Sequence, residues 1–273
     1  MKFDDLDKKM RAFERAMDQT VPRENFLVAR LDGRGFTKLT KETCPDLDRP
    51  FDRRFNDAMV STVEHLFRSG FEVVYGYTES DEISLLFSYG ASAFERKVRK
   101  YNSILAGEAS AVFTQAFGHL GVFDCRVIPL PDFDAVADYF RWRQEDSHRN
   151  SLNAYVYWTL RDEGKSAREA DAALLSISND RKREILAEHG IDFESTPQWQ
   201  RWGVGVYNIQ VERKGFNPKT GKEETGIGNA LKVDRELPLR DDYIALVKSL
   251  LQPSIDREEH RKRWAASSAP KDK

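Results

Sequence analysis

Apolar positions along the first 130 residues recur with two different periods, and the points where the period switches predict the elements. Over residues 4–18, Leu6, Met10, Phe13 and Met17 return at helical spacing. Residues 25–31 (NFLVARL) form a short apolar, β-rich run that ends in Asp32-Gly33, which predicts a buried strand entering a turn. A second helix is expected over 50–69, opening at Pro50 and closed by Gly70. Residues 71–77 (FEVVYGY) and 83–87 (ISLLF) predict a hairpin joined through Thr78-Glu79-Ser80-Asp81-Glu82. A long helix follows from Ala93 to Phe117, stopped by Gly118. A fourth strand at 122–130 (VFDCRVIPL) is cut off by Pro129 and Pro131. The order β-α-β-β-α-β is that of the ferredoxin-like split unit, an arrangement polymerase palms share.

Beyond Pro131 the pattern changes. Residues 132–162 read as largely helical, with the polar segment 141–153 (RWRQEDSHRNSLN) near a helix start. Two short charged helices are expected near 166–175 and 179–189. A hairpin follows, formed by 202–213 and 228–237 around Asn217-Pro218-Lys219-Thr220-Gly221. A last helix spans Asp241–Leu251, and the tail from Arg257 is expected to be frayed or disordered. The fold class is therefore α+β, with a palm-like catalytic domain over 1–135. An α+β C-terminal domain over 136–273 is expected to contribute RNA or nucleotide binding.

Composition narrows the class without fixing it. Hydrophobic residues make up 40% of the 273, enough for a core, and 43 Lys+Arg against 45 Asp+Glu leave a net charge of −2. That balance argues against a protein that coats nucleic acid non-specifically, though it permits local basic patches. No apolar run approaches the roughly 20 residues a membrane span needs. Cys44 and Cys125 offer neither a disulfide framework nor metal-ligand spacing. The expectation is a soluble cytoplasmic enzyme with no membrane partner.

Candidate chemistry lies in four segments. In Arg30-Leu31-Asp32-Gly33-Arg34-Gly35-Phe36-Thr37-Lys38, a carboxylate ends a strand, and two glycines let backbone amides approach an anion. That suits a triphosphate held through a divalent cation, or else a plain Asp-Gly turn with solvated arginines. Ser80-Asp81-Glu82 is the second segment. In a split β-α-β-β-α-β sheet its turn meets the Asp32 end of the first strand, and two converging carboxylates repel unless a cation lies between them. The third is Arg96-Lys97-Val98-Arg99-Lys100. On a continuous helix Lys97 and Lys100 (i, i+3), and Arg96 and Lys100 (i, i+4), stack on one face and call for an anion, unless the face is simply solvated. The fourth is 142–153, where His148 is a candidate general acid or phosphate contact and Asn150 lies beside it. His65, His119, His189 and His260 have no matching spacing for zinc.

Taken in order, RLDGRGF (30–36), ESDEISLLF (79–87), the basic segment 96–100, FDCRV (123–127) and WRQEDSHRNSLN (142–153) resemble the tRNA(His) guanylyltransferase superfamily. They are similar in particular to its guanylyltransferase-like branch of 3′–5′ polymerases. The resemblance implies a palm that activates a tRNA 5′-phosphate with ATP and adds a nucleotide whose 3′-hydroxyl attacks that end. It implies Asp32, Asp81 and the Gly33 carbonyl as ligands of two Mg²⁺ ions, with Glu82 in the catalytic group as support. It also implies a nucleotide cradle from Arg30, Asp32, Gly33, Arg34, Gly35, Phe36, Thr37, Ser80 and Asp81, and triphosphate contacts from Lys97 and Lys100. His148 and Asn150 belong to the segment handling RNA or the incoming nucleotide. ATP, GTP and other nucleoside triphosphates are the implied substrates with tRNA, and a homotetramer is the implied assembly.

Where eukaryotic guanylyltransferases carry His-Ile-Asn-Asn-Leu-Tyr-Asn, this chain has His148-Arg149-Asn150-Ser151-Leu152-Asn153-Ala154, agreeing at three of seven positions. That resembles the branch that performs templated addition and repairs 5′-truncated tRNAs. The alternatives are a dedicated tRNA(His) guanylyltransferase and a non-catalytic RNA-binding protein. The second is disfavoured because unpaired carboxylates beside an RNA phosphate repel it. A nucleotide cyclase lacks support, since the hairpin reads Glu79-Ser80-Asp81-Glu82-Ile83 and not Gly-Gly-Asp-Glu-Phe.

Overall fold

The computed structural model describes residues 2–217 and 222–268. In chain order the elements are α1 (Phe3–Arg15), β1 (Phe26–Gly33), the single turn α2 (Phe36–Lys38), α3 (Arg53–Leu66), β2 (Val73–Glu79), β3 (Glu82–Phe87), α4 (Val98–Phe117), β4 (Phe123–Leu130) and α5 (Phe133–Asp162). There follow α6 (Ala167–Ser176), α7 (Asn179–Glu188), α8 (Gln198–Trp202), β5 (Val204–Asn217), β6 (Lys222–Asp234) and α9 (Arg240–Ser268).

One antiparallel sheet runs β4-β1-β3-β2-β5-β6, so the first four strands have the order of the predicted split unit. Alternation along β1 and β3 sends side chains to two cores. On one face Leu27, Leu31, Ile83 and Leu85 pack with Met59 and Val63 of α3 and Leu105 and Phe113 of α4. On the other, Val28, Tyr75, Tyr77 and Leu86 pack with Phe140 of α5 and Tyr243 and Val247 of α9. Each large side chain buried this way contributes about 1.5–3 kcal/mol. A third cluster joins the second half of α5 to α6 and α7 around Val156, Leu160 and Leu186.

Several boundaries differ from the sequence expectation, each for a local reason. α3 begins after Asp52, whose carboxylate accepts from the Arg54 amide at 2.7 Å, and not at Pro50. The long helix starts at Val98, because Phe94, Glu95 and Arg96 take φ of 50°, 57° and 59°, left-handed conformations that break it. Pro129 stays inside β4, which is an edge strand where a missing N–H costs no ladder bond. α5 runs 30 residues without a break, so 142–153 lies mid-helix. α9 continues for 29 residues through Pro253 to Ser268, which corrects the expected frayed tail as far as residue 268. Ser254 accepts from the Tyr89 amide at 2.9 Å, and Arg263 pairs with Glu259 one turn away at 3.2 Å, so both contacts and local charge hold that extension. The predicted turn at Pro218–Gly221 lies outside the described residues, while Asn217 is the last residue of β5, paired with Lys222. Among the described residues no helix is long and apolar enough to cross a membrane.

Candidate active site

The end of β1 and the β2–β3 turn meet as the sheet order requires. Asp32 stands in register with Glu82 on one side and with Asp124 of β4 on the other. The turn itself is only Ser80-Asp81, since Glu79 pairs with Glu82. The Gly33 N–H donates to the Asp81 carbonyl at 3.0 Å, tying turn to strand. Ser80 takes φ 45°, a region that favours glycine. Burial pushes the Asp81 carboxyl up to about 6, and the charge of Asp32 adds to the rise. The expected convergence of Asp32, Gly33 and Asp81 is thus present in the geometry.

The loop after Asp32 is held by its own packing. Gly35, with φ 75°, caps α2, and Phe36 folds back so closely that a Cβ on Gly33 would sit 2.7 Å from its ring. Phe36 is buried against Phe113 and Phe123, with ring centroids 4.9 and 5.1 Å away. The Arg34 amide donates to the Val122 carbonyl at 2.8 Å, which leaves the Arg34 side chain exposed.

Glu82 is fully engaged behind the turn. Arg143 of α5 donates Nε to Glu82 Oε1 at 2.7 Å and Nη2 to Oε2 at 3.0 Å, and Arg30 Nε lies 3.4 Å from the same carboxylate. Arg143 Nη2 also reaches Glu79 Oε1 at 2.8 Å. Burial, reinforced by the charge of Glu82, pushes Glu79 up to about 8. Arg30 therefore serves Glu82, and Glu82 supports the turn and does not present a free oxygen.

Asp81 borders a cavity of about 340 Å³. It is lined by Phe36, Thr37, Thr40 and Lys41, by Ser80 and Asp81 of the turn, and by Ser147, Asn150, Ser151, Asn153, Tyr157 and Trp158 of α5. Two cations lie over aromatic rings there: Lys41 Nζ is 4.1 Å from the Tyr157 centroid, and the Arg49 guanidinium 4.5 Å from that of Trp158. Ser151 Oγ and Asn153 Oδ1 are buried without a hydrogen-bond partner, a costly condition that a polar ligand relieves. Sequence reasoning missed Lys41, Arg49, Tyr157 and Trp158, whose approach depends on chain folding over more than a hundred residues. Their only sequence signal is the aromatic cluster Tyr155-Val156-Tyr157-Trp158 directly after the polar segment.

Other expected residues lie elsewhere. Arg96 is buried, donating to the Arg23 and Asn25 carbonyls at 3.1 and 2.7 Å, and Lys97 precedes α4, ion-paired with Glu95 at 2.9 Å. The single basic helix face is therefore absent, because the left-handed run 94–96 turns these residues apart. Lys97 bridges Thr20, at the Phe26 end of the eight-residue β1. That places it, with Lys100 one turn on, on the order of 20 Å from Asp32, given a rise of about 3.4 Å per residue. Within one chain Lys97 and Lys100 do not meet the carboxylates. His148 stacks on Trp202, with centroids 4.0 Å apart and planes 13° from parallel, and burial lowers its pKa, so it packs there as a neutral ring. Asn150 reaches the cavity wall, and His148 does not line it.

The donor set fits a hard divalent cation. Among the described residues no group of three or more His, Cys, Asp or Glu side chains is placed to hold a metal ion by itself. Asp32, Asp81 and the Gly33 carbonyl supply only oxygen, in the small number with which Mg²⁺ is held when phosphates and water complete its shell. A cation there would offset both the burial that raises Asp81 and the charge of Asp32 that adds to the rise.

Residues 7–135 match the family model for tRNAHis guanylyltransferase, and residues 134–245 match the Thg1 C terminal domain. The tRNA(His) guanylyltransferase of Debaryomyces hansenii is 30% identical over 206 residues, 70% of this chain and 77% of that protein. That of Neurospora crassa is 26% identical over 93% of this chain and 92% of its own length. Among solved structures, a bacterial tRNA(His) guanylyltransferase (Thg1)-like protein in complex with GTP superposes with a TM-score of 0.69 at 25% identity, covering 90% of this chain and 99% of that one. The Saccharomyces cerevisiae enzyme shares the fold, with a TM-score of 0.66 over 76% of this chain and 93% of that one at 24% identity. With a palm-ordered sheet, two converging carboxylates and both family models in sequence, this chain belongs to the tRNA(His) guanylyltransferase family of nucleotidyltransferases.

Proposed function

We propose that this chain adds a nucleotide to the 5′ end of tRNA at the cavity beside Asp32 and Asp81. The observation that carries the reading is the approach of Asp32 to Asp81, which borders a cavity also lined by Ser151 and Asn153 with their unpaired Oγ and Oδ1. Asp32, Asp81 and the Gly33 carbonyl would hold two Mg²⁺ ions, with Glu82 supporting the turn from behind. Bound there, a divalent cation neutralises phosphate charge and lowers the pKa of an attacking hydroxyl. Thr37 and Ser80 flank the phosphate path, Lys41 and Arg49 offset triphosphate charge, and Tyr157 and Trp158 give flat surfaces against which a base can stack. Asn150, Ser151 and Asn153 orient the nucleotide by hydrogen bonding.

The names of the curated relatives favour guanosine addition to tRNA(His) as the reaction. A second reading, templated 3′–5′ addition that repairs truncated 5′ ends, draws on the divergent His148–Ala154 segment and on the near-complete coverage of the bacterial Thg1-like protein. Base pairing with the opposite strand then selects the nucleotide, and the protein needs to hold only phosphates and sugar. Incubating the chain with tRNA(His) and with tRNAs lacking their first nucleotide, one triphosphate at a time, separates the two. Guanosine added to tRNA(His) alone supports the dedicated enzyme. Addition of G opposite C and U opposite A, on any tRNA, supports repair. No addition to either substrate overturns both.

The proposal extends to a homotetramer, in which the Lys97–Lys100 end of one subunit meets RNA held at the site of another. Light scattering that gives a monomer during active turnover removes this part.

A further inference from the structure

Arg143 sits in the middle of α5 with its side chain only 5% exposed. Its partners Glu79 and Glu82 are the last residue of β2 and the first of β3, so one guanidinium spans both ends of the two-residue turn that carries Asp81. That turn does not keep its shape by intrinsic preference. Ser80 is held at φ 45°, a left-handed conformation that a residue with a Cβ disfavours. Two further bonds help: Thr78 Oγ1 donates to the Glu82 carbonyl at 2.8 Å, and Gly33 N–H to the Asp81 carbonyl at 3.0 Å. The same Arg143 Nη2 also donates to Asp146 Oδ2 at 3.2 Å, and that oxygen accepts from Asn150 Nδ2 at 3.3 Å. Asn150 lines the cavity. A continuous set of hydrogen bonds thus runs from the cavity wall to the carboxylate-bearing turn.

We propose that Arg143 is a positioning residue: by bridging Glu79 and Glu82 it keeps Asp81 beside Asp32, and through Asp146 and Asn150 it links that placement to nucleotide in the cavity. This rests on the reading of Asp32 and Asp81 as the cation-holding pair. Without a cation the two carboxylates repel, and an unclamped hairpin tip relieves the repulsion by moving away. The clamp holds the pair preformed. Arginine suits the task because its planar fork reaches two carboxylates at once, whereas a lysine ammonium is a point charge. Arg143→Lys therefore preserves the local charge balance and removes the bridge.

The test is Mn²⁺ binding, followed by electron paramagnetic resonance, on the full chain and on R143K, with urea unfolding alongside. Loss of an orienting partner behind metal ligands typically weakens the metal about 10- to 100-fold. R143K is expected to weaken Mn²⁺ by that factor, to raise the Mg²⁺ concentration needed for half-maximal nucleotide addition in parallel, and to leave the KM for tRNA unchanged. A folded R143K with a lower urea midpoint and parental Mn²⁺ affinity overturns the proposal, since Arg143 is then only structural. Should R143K fail to fold, Glu79→Ala removes one arm of the bridge. A folded E79A with parental Mn²⁺ affinity overturns it equally. Asp81→Ala separates the two levels. If D81A abolishes Mn²⁺ binding while R143K does not alter it, only the positioning role falls. If D81A binds Mn²⁺ as the parent does, the cation reading and the positioning role fall together.

Discussion

Gly33 donates its backbone N–H to the carbonyl of Asp81, so the strand that ends in Asp32 and the turn that carries Asp81 are joined through main chain, whatever their side chains do. Substituting either carboxylate should therefore leave the junction in place. Asp32→Asn and Asp81→Asn are each expected to cut nucleotide addition by at least about 10³-fold through loss of a cation ligand. Their metal-free urea midpoints should stay at or above the parent's, because a like-charge contact has been removed. Turnover within tenfold of the parent in Mg²⁺ would refute the assignment.

The buried orphan atoms make a prediction of opposite sign for stability and binding. Ser151→Ala removes a hydroxyl that has no partner, a condition that costs about 1–3 kcal/mol. The ligand-free melting temperature should hold or rise, and the Kd for GTP or ATP should weaken about 5- to 10-fold for the loss of one hydrogen bond. Calorimetry on the same sample reads both. A destabilised variant with unchanged nucleotide affinity would show that Ser151 belongs to the core and not to the ligand.

Asp52 sets a pH dependence. Burial alone would raise its carboxyl, but the Arg54 guanidinium and the amides of Asp48 and Arg54 outweigh burial and hold it at about 2 against an ordinary 3.8. Its folded value lies below its unfolded one. The stabilisation, about 2 kcal/mol, is therefore fully present above pH 3.8 and is lost as the pH falls through about 2. Asp52→Ala should cost that amount in urea at pH 7, and the gap between variant and parent should close as the pH falls from 3.8 to 2. A gap that persists unchanged at pH 2 would mean the side chain acts through packing and not through charge.

Lys97 and Lys100 lie far from the carboxylates, which changes what their removal should do. The double Ala variant is expected to leave the KM for nucleoside triphosphates unaltered. It should weaken tRNA binding and flatten its salt dependence, by about one unit of slope for each phosphate no longer neutralised. A raised triphosphate KM with an unchanged salt slope, measured in assembled protein, would instead place these lysines on the triphosphate, and not on the RNA, at the site of a neighbouring subunit.

What the sequence disclosed and what it withheld divide along a physical line. The order of β1 to β4 and the meeting of Asp32 with Asp81 were legible, because both follow from local periodicity and from how a split unit pairs its strands. The break before Val98 was not. Phe94 and Arg96 adopt left-handed angles without a glycine or asparagine to announce them, and Arg96 is held there by carbonyls of Arg23 and Asn25 more than 70 positions away. Glu82 was expected as support, but what it leans on was hidden for the same reason: its partner Arg143 lies 61 residues on. α9 passed through Pro253 because tertiary contacts at Ser254 outweigh the local penalty.

The pairing of β2 with β5, Tyr75 opposite Tyr207 through Thr78 opposite Val204, has a consequence for how this molecule can be cut. A fragment ending near residue 135 contains both Asp32 and Asp81, yet it exposes the whole flank of β2. Tyr75 is also deprived of the Tyr243 hydroxyl it meets at 3.0 Å, and Tyr77 of the Trp202 carbonyl to which it donates at 3.0 Å. A bare strand flank of that kind recruits other chains. The first 135 residues are thus not a module that can be lifted out or grafted: the cover for their outer strand is supplied by the residues that follow.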